Sequence, residues 1–327
     1  MKGMILAAGL GTRLRPLSYE LPKPIVPVLG RPLCSYNMEF LFRAGVKSFV
    51  LNLHRQPKMI QQRVAGWAGR RIRVEYTVEP EILGTGGGIR NAGNFLKEGT
   101  FVTANSDTIV RFPFAEALSF HRERQALATL VLFPDPEKRY TPVWVDREGR
   151  ITGFGGESGV GIRSGFYTGF QIVEPEALRR IPGGKPSCII RETYAPLVRD
   201  GGPIFGFLSS GHFQEFGSPS DYLGGTLAIL SERSGEESLP STPEGTVVTP
   251  PVYIAPGAKI GAGARIGPDA VIEEGAVVGE GATVTRSILW PGTSLAAGLQ
   301  LRNSILTPRR RVEVPEKAHA PGNNGQG

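Results

Sequence analysis

Few residues in this 327-residue sequence are of the types that define disulfide-rich or zinc-binding proteins. It contains 2 cysteines and 4 histidines. They lie far apart and form no pair or cluster with the spacing of metal ligands. We therefore expect neither a disulfide framework nor a cysteine–histidine metal site. A hydrophobic fraction of 40% with 20% charged residues also excludes a disordered or collagen-like chain.

Long hydrophobic runs are also lacking. No apolar segment approaches the roughly 20 residues that a membrane-spanning helix needs. The first apolar run, Met4–Ala8, leads into glycine and arginine rather than into a signal-peptide cleavage site. We expect a cytoplasmic protein with no membrane partner.

The formal charge of +7 predicts an anionic ligand, but the distribution of the charge argues against nucleic acid. Residues 302–317 contain five basic and two acidic side chains, and so account for three of the seven excess charges. That segment has no interleaved aromatic residues for base stacking. We expect small anionic substrates and no nucleic-acid partner.

Strand-like and helix-like patterns alternate through the first half of the chain. The order is an apolar strand at 4–8, a helix at 31–44 with Pro32 in its first turn, a strand at 46–53, a helix at 58–67, a strand at 72–78, a helix opened by the glycines at 86–88, and a strand at 100–104. Such alternation is typical of an α/β fold with a Rossmann-like, doubly wound sheet. We assign residues 1–233 to this catalytic domain, whose ligands should bind beyond the carboxyl ends of the strands.

A six-residue repeat follows a linker at residues 234–251, which is rich in proline, serine and glutamate. Apolar residues recur at every sixth position, and alanine follows the first five of them by four places. The apolar positions are Ile254, Ile260, Ile266, Ile272, Val278 and Val284. This period fits neither a helix nor a hairpin and indicates a left-handed parallel β-helix over residues 252–314, followed by a flexible tail at 315–327.

The predicted β-helix admits two roles. Acyltransferases with such repeats generally need a histidine base, and none occurs between Phe213 and Ala318. Exposed coil ends favour self-association instead, so we expect a homo-oligomer formed through this domain. Trp290 lies either at a subunit or domain contact or in a core.

Two loops of the first domain are suited to phosphate chemistry. In the segment Ala7–Pro16, with the sequence AAGLGTRLRP, glycines let backbone amides approach an anion, and Arg13 adds a charged donor. Its glycine order differs from both the P-loop and the dinucleotide-binding motif. Ten residues beyond Arg13, Lys23 stands between two prolines that stiffen its backbone.

These loops and four later motifs resemble the sugar-phosphate nucleotidyltransferase family, most closely its mannose-1-phosphate guanylyltransferase and N-acetylmuramate-1-phosphate uridylyltransferase branches. The later motifs are LGTGGG at 83–88, NSD at 105–107, YTGF at 167–170 and FQEFGSP at 213–219. The family joins a nucleoside triphosphate to a sugar 1-phosphate and releases pyrophosphate. The resemblance implies the same reaction here, by charge neutralisation and in-line positioning of two anions.

The resemblance also implies roles for particular residues. The catalytic residues should be Arg13, Lys23 and Asp107. The ligands of a Mg²⁺ ion should be Asp107 and Glu215. The nucleotide should contact Ala7, Ala8, Gly9, Gly11, Thr12, Arg13, Glu81, Gly84 and Thr85. The sugar phosphate should contact Lys23, Asn105, Thr168 and Gly169. Separately from the resemblance, Glu157 is a candidate acceptor for a sugar or ribose hydroxyl, and simple exposure in a loop is the alternative.

The acidic residue before the glycine-rich loop indicates which nucleotide base the protein binds. Glu81 precedes the glycine-rich loop, and a carboxylate there matches the adjacent N1 and N2 donors of guanine, whereas uracil offers one N–H. This favours GTP with mannose 1-phosphate or a related sugar phosphate. UTP or dTTP is the alternative nucleotide, and the alternative for Glu81 is a solvated loop acid that binds no base.

Two departures from the family pattern leave a second interpretation of the function open. Glu215 stands where an aspartate is usual, and the E-K-P lysine of many relatives is missing, because no lysine lies between Arg139 and Pro182. A regulatory relative that binds nucleotide sugars without turnover is therefore the alternative to an active enzyme.

Overall fold

The computed structural model describes residues 1–156, 163–233 and 241–315. They divide by their contacts into two units, which do not follow the order of the chain. The first unit comprises Met1–Thr12, Leu21–Val26 and Arg31–Glu215. The second comprises Arg13–Glu20, Pro27–Gly30 and the described residues from Phe216 onward.

Residues 1–215 form thirteen of the described strands. They are β1 (Lys2–Leu6), β2 (Pro27–Val28), β3 (Arg31–Pro32), β4 (Ser48–Leu53), β5 (Arg73–Val78), β6 (Phe101–Asn105), β7 (Thr108–Arg111), β8 (Ala128–Phe133), β9 (Pro142–Val145), β10 (Ile151–Phe154), β11 (Arg163–Val173), β12 (Ile204–Leu208) and β13 (His212–Glu215). The described helices are α1 (Ser35–Arg43), α2 (Pro57–Ala68), α3 (Gly84–Asn91), α4 (Gly93–Leu96), α5 (Phe114–Glu123), α6 (Ala195–Arg199) and α7 (Pro219–Glu232). Helix α1 begins four residues later than predicted, because Arg31–Pro32 is extended.

Nine strands form the central sheet of the first unit, in the order β10-β9-β11-β6-β1-β4-β5, with β8 and β12 joined beside β11. Strands β6, β1, β4 and β5 run parallel, whereas β11 is antiparallel to its neighbours. Strand β4 reads as a nearly continuous apolar run and is buried over five of its six residues, as expected for a parallel strand covered on both faces.

Helices cover both faces of this sheet. Buried residues of α1, α2 and α5, such as Met38, Ile60 and Phe114, belong to one core cluster. Ile89 of α3 and Leu96 of α4 belong to another. The predicted doubly wound, mixed α/β sheet is therefore confirmed.

The second unit consists mainly of short strands wound into coils. They are β14 (Val247–Val248), β15 (Val252–Ile254), β16 (Lys259–Ile260), β17 (Arg265–Ile266), β18 (Ala270–Ile272), β19 (Val277–Val278), β20 (Thr283–Thr285), β21 (Ser287–Leu289), β22 (Ser294–Leu295), β23 (Gln300–Arg302), β24 (Ser304–Leu306) and β25 (Arg311–Glu313). Strands β14 to β24 stack into three sheets of parallel strands, in the orders β14-β17-β20-β23, β15-β18-β21-β24 and β16-β19-β22. Every third strand thus lies above its predecessor, as in a β-helix.

The repeat period is visible in the strand register. Val252 pairs with Ala270, eighteen residues later, which is three hexads. Ala270 pairs with Ser287, only seventeen residues later, so one hexad has lost a residue. This deletion explains why the sequence repeat becomes irregular near Trp290. Final strand β25 runs antiparallel to β24 and is not part of a coil.

The domain boundaries differ in detail from the sequence prediction. The first coil begins with Val247 of β14, inside the predicted linker, and Arg13–Glu20, Pro27–Gly30 and the segment from Phe216 to residue 233 pack with the coils rather than with the sheet. Residues 234–240 of the predicted linker and nearly all of the predicted tail lie outside the described residues. In the described ranges no helix combines the length and apolarity needed to cross a membrane.

Candidate active site

Lys23 and Asp107 form an ion pair in the first unit. Lys23 opens a short 3-10 turn, Lys23–Ile25, and its side chain is 8% exposed. Its ammonium donates to Asp107 Oδ2 at 2.8 Å. Asp107 is 29% exposed and follows β6, one residue before β7. The sequence predicted both residues to serve the same site, and the structure brings them into contact.

Asn37 fixes the turn that carries Asp107. This side chain lies on α1 and is fully buried. Its amide group donates to the carbonyl oxygens of Asn105, at 3.0 Å, and Thr108, at 2.8 Å, while its oxygen accepts the Val110 N–H at 3.1 Å. Three bonds to the backbone on either side of Asp107 leave the turn little freedom. The sequence analysis missed Asn37, since an asparagine inside a helix carries no motif.

Glu215 lies beside the same turn. Strand β13 pairs antiparallel with β7, and Glu215 stands opposite Thr108, the residue after Asp107. The Tyr140 hydroxyl donates to Glu215 Oε2 at 3.3 Å, and its ring stacks on Phe166 with a centroid distance of 4.4 Å. Burial raises the pKa of the Tyr140 phenol, and the Glu215 carboxylate acts in the same direction. Tyr140 therefore stays a hydrogen-bond donor at neutral pH.

The two carboxylates fit the ligand set of a magnesium ion. Mg²⁺ commonly binds through one or two carboxylates, with substrate phosphates and water completing its coordination. Glu215 pairs with Thr108, the residue directly after Asp107, so two carboxylates are available at this turn. Across the described part of the chain there is no group of three or more acidic, histidine or cysteine side chains with metal-binding geometry. The pair thus fits a metal that also requires the substrate.

A buried network centred on Glu79 orders the neighbouring loops. Asn52, near the end of β4, accepts the Ala7 N–H at 2.9 Å and donates to Glu79 Oε1 at 2.8 Å. Glu79 is 1% exposed, and its other oxygen accepts the Leu83 N–H at 3.0 Å. The network thus joins the loop after β1 to the start of α3. The sequence prediction named Glu81, which is exposed. It did not name Glu79, although the position of Glu79 directly after β5 was an available signal.

The glycines of α3 permit close packing against residue 187. The Gly86 N–H donates to the Ser187 carbonyl at 2.8 Å, and the Ser187 N–H donates to the Leu83 carbonyl at 2.8 Å. A Cβ atom on Gly84, whose φ is +72°, would lie 2.5 Å from the Ser187 oxygen. Thr85 is exposed, and its hydroxyl oxygen accepts the Ile189 N–H at 3.0 Å. The predicted nucleotide-contacting positions Glu81 and Thr85 are therefore open to solvent.

The loop after β1 presents most of its predicted nucleotide-binding residues at the surface. Gly9, Thr12 and Arg13 are exposed and Gly11, with φ +62°, is half-buried, whereas Ala7 and Ala8 are buried. Because the Ala7 N–H is donated to Asn52, it is not directed at a phosphate. Arg13 lies in the short turn Thr12–Leu14 and belongs to the second unit.

The predicted sugar-side residues have different surroundings. A Cβ on Gly169, at φ +89°, would lie 2.5 Å from Asn105 Nδ2, so these two residues are in close contact. Thr168 is 1% exposed, and its hydroxyl donates to the Val131 carbonyl at 2.9 Å. Any substrate contact from Thr168 would therefore use its backbone. Glu157 lies outside the described residues.

A cavity of about 280 Å³ lies next to Tyr140. The rings of Phe133, Phe166 and Phe213 line it together with the Arg139 side chain. Tyr140 thus forms one wall of this cavity while its hydroxyl contacts Glu215.

Comparisons with known proteins agree with this geometry. Residues 2–155 match the family model described as Nucleotidyl transferase, and residues 248–317 match the GMPPB C-terminal domain. A mannose-1-phosphate guanyltransferase of Yarrowia lipolytica is 34% identical over 262 residues, which cover 79% of this chain and 70% of that protein. The mannose-1-phosphate guanylyltransferase of Mycobacterium tuberculosis is 28% identical over 257 residues, covering 78% and 72%.

A solved structure with a similar fold is HddC from Yersinia pseudotuberculosis, complexed with GMP-PN. It has a TM-score of 0.59 and 25% sequence identity, and the match covers 70% of this chain and 99% of that one. The fold, the matched domains and the relatives together define a nucleotidyltransferase enzyme. This chain belongs to the sugar-phosphate nucleotidyltransferase family, whose members are typically metal-dependent.

Proposed function

We propose that the protein transfers the GMP group of GTP to a sugar 1-phosphate, with mannose 1-phosphate as the first candidate. A phosphate oxygen of the sugar forms a bond to the α-phosphorus, the bond from that phosphorus to the β-phosphate oxygen breaks, and pyrophosphate leaves. The names of the relatives support mannose 1-phosphate, and the GMP-containing ligand of HddC supports a guanine nucleotide.

The contact between Lys23 and Asp107 carries the proposal. Both reactants are anions, so the site must neutralise repulsion and align the attacking oxygen with the leaving group. The mostly buried Lys23 ammonium lies 2.8 Å from the Asp107 carboxylate, at the carboxyl edge of parallel strands. The ammonium can bind a phosphate group, and the carboxylate can bind a metal cation. No nucleophilic side chain is needed.

Each charged residue then has a separate task. Lys23 would donate to the sugar phosphate and to the α-phosphate oxygens, where charge develops in the transition state. Arg13, on the exposed loop after β1, would bind the departing pyrophosphate. The backbone amides of Gly9 and Gly11 can approach phosphate oxygens because no side chain intervenes.

Asp107 and Glu215 would hold a Mg²⁺ ion, which supplies Lewis-acid polarisation of the phosphate oxygens when bound. Tyr140 would orient the Glu215 carboxylate, which has one more rotatable bond than aspartate. Asn37 would keep Asp107 in place through its bonds to the turn.

Guanine recognition is assigned to Glu81 and the backbone of Gly84 and Thr85. Glu81 is exposed next to the glycine-rich turn, so its carboxylate can reach the paired N1 and N2 donors of guanine. Glu81→Gln should therefore weaken GTP binding more than UTP binding.

The test is a product assay with the full-length protein. Mass spectrometry follows nucleotide-sugar formation from GTP, UTP or dTTP with a panel of sugar 1-phosphates and Mg²⁺. We expect GDP-sugar and pyrophosphate from GTP. Asp107→Asn should abolish turnover, whereas Asp200→Asn, at an exposed aspartate, serves as the matched control. A preference for UTP or dTTP would refute the base assignment, and nucleotide binding without product would favour the regulatory alternative.

We also propose that the enzyme is a cytoplasmic homo-oligomer that associates through its β-helix. Light scattering on the purified protein tests the oligomeric state; a monomer over the working concentration range would contradict it.

A further inference from the structure

The segments on both sides of Lys23 pack with the β-helix. Lys23 lies in Leu21–Val26, a six-residue stretch of the first unit. The preceding segment Arg13–Glu20 and the following segment Pro27–Gly30 both belong to the second unit. The backbone bearing the active-site lysine is therefore tethered at each end to residues whose positions depend on the coils.

The first tether is Glu20. Its side chain is 6% exposed, and its Oε1 accepts hydrogen bonds from Thr307 Oγ1 at 2.7 Å and Arg310 Nε at 3.1 Å. Both donors follow β24. Two residues separate Glu20 from Lys23, so fixing Glu20 restricts where the lysine backbone can lie.

The second tether is the backbone amide of Gly30. Its N–H points at both carboxylate oxygens of Glu273, at 3.0 and 3.1 Å. Glu273 is 1% exposed and directly follows β18. A Cβ on Gly30, whose φ is +75°, would collide with the Tyr253 hydroxyl. Glycine is needed here for both its conformation and the close approach.

A buried carboxylate beside the coils calls for a specific reason. Desolvating a carboxylate is costly unless its oxygens accept hydrogen bonds, and the equivalent positions of the other hexads between residues 254 and 285 carry alanine, glycine or threonine. Glu273 directly follows Ile272 and meets the chain just beyond Lys23. A charged side chain at this position is explained by the amide that it binds.

A third tether secures the start of Pro27–Gly30. The Tyr222 hydroxyl donates to the Pro27 carbonyl and accepts the Trp290 indole N–H at 2.9 Å. Both aromatic side chains are almost completely buried. Trp290 is thus buried within the second unit and hydrogen-bonded to α7.

We infer that the β-helix positions the Lys23 loop for phosphoryl transfer and that Glu273 is the positioning residue that does so through the Gly30 amide. The inference rests on the proposed function, which gives Lys23 its catalytic task. A misplacement of about 1 Å at a reacting group can cost on the order of 100-fold in rate. Glu273 would act on turnover without touching substrate.

The experiment compares Glu273→Gln with Glu274→Gln in the full chain. Glu274 is exposed, so its variant removes the same charge one residue away. Glu273→Gln should lower kcat at least tenfold and increase hydrogen exchange in peptides spanning residues 21–30, with exchange in the coils at 282–306 unchanged. Glu274→Gln should match the wild type in all three measurements.

Gly30→Ala provides an independent variant from the other side of the contact. Glu273→Gln removes the charge from the acceptor and Gly30→Ala displaces the donor, so both changes weaken the same contact and the double variant should lose little more activity than either single variant. Additive losses would overturn the inference. The inference would also be overturned if Glu273→Gln had the same kcat and the same hydrogen exchange in residues 21–30 as the Glu274→Gln control. Faster hydrogen exchange throughout the coils of Glu273→Gln would overturn it as well.

Failure of the proposed function would look different. If the wild type and Glu274→Gln make no product from any nucleotide, the proposed reaction fails, while the exchange data still report whether Glu273 orders residues 21–30.

Discussion

Removing the Lys23 ammonium should have opposite effects on turnover and on metal binding. In the variant Lys23→Met, turnover should fall by about 100-fold or more, since a charge contact that strengthens in the transition state contributes about 3 kcal/mol. Asp107, however, loses the partner that occupies its Oδ2 at 2.8 Å. A divalent cation no longer has to displace that partner.

The size of the gain follows from the geometry of the pair. A hydrogen bond to a charged group contributes about 1.5–3 kcal/mol when it is well shielded. Lys23 is buried but Asp107 is 29% exposed, so the lower end of that range, about 1.5 kcal/mol, is appropriate. The free variant should therefore bind a divalent cation roughly tenfold more tightly than the wild type.

The measurement is a Mn²⁺ titration of the nucleotide-free protein, followed by electron paramagnetic resonance or calorimetry. Lys47→Met removes an exposed lysine and gives the same change in net charge. If Lys23→Met binds Mn²⁺ no more tightly than Lys47→Met does, the lysine does not compete for Asp107 in solution and the reasoning fails.

Three further predictions concern positions around the site and in the core. Asn37→Leu should lower the free energy of unfolding by about 2–4 kcal/mol in urea titrations, because the buried backbone groups that Asn37 binds would lose their hydrogen-bond partner. Gly88→Ala should raise the nucleotide KM, since its methyl group would stand 2.9 Å from the Glu79 carboxylate; Gly66→Ala, in open space on a helix, should instead be stabilising and kinetically silent. Burial holds the pKa of His121 below its ordinary value near 6.5, so the unfolded chain takes up a proton that the folded chain refuses. Stability should therefore decline as pH falls below about 6.5 in calorimetric scans, and His121→Gln should remove that decline.

Features that repeat or that carry a motif were predictable from the sequence. The hexad period predicted the coils, because each inward position needs an apolar or small side chain regardless of the rest of the fold. Lys23 and Asp107 were predicted together, since the family resemblance assigned them to one reaction. The structure places their side chains in contact.

Residues that act by hydrogen-bonding to backbone groups far away in the sequence were not predictable. Asn37 and Glu79 act by bonding chain segments that only the folded sheet brings near, and neither stands in a recognisable pattern. Glu273 is similar, because its partner, the amide of Gly30, lies more than 240 positions earlier in the chain. The assignment of Arg13–Glu20 to the β-helix unit has the same origin.

The antiparallel strand β25 has a consequence for how copies of the protein can meet. A stack of parallel coils ends in unpaired N–H and C=O groups, which would accept a coil from a second molecule and extend into a fibre. Here Arg311–Glu313 turns back and occupies those groups along β24. A coil from a second molecule therefore cannot pair with β24 directly, because the chain itself occupies that edge.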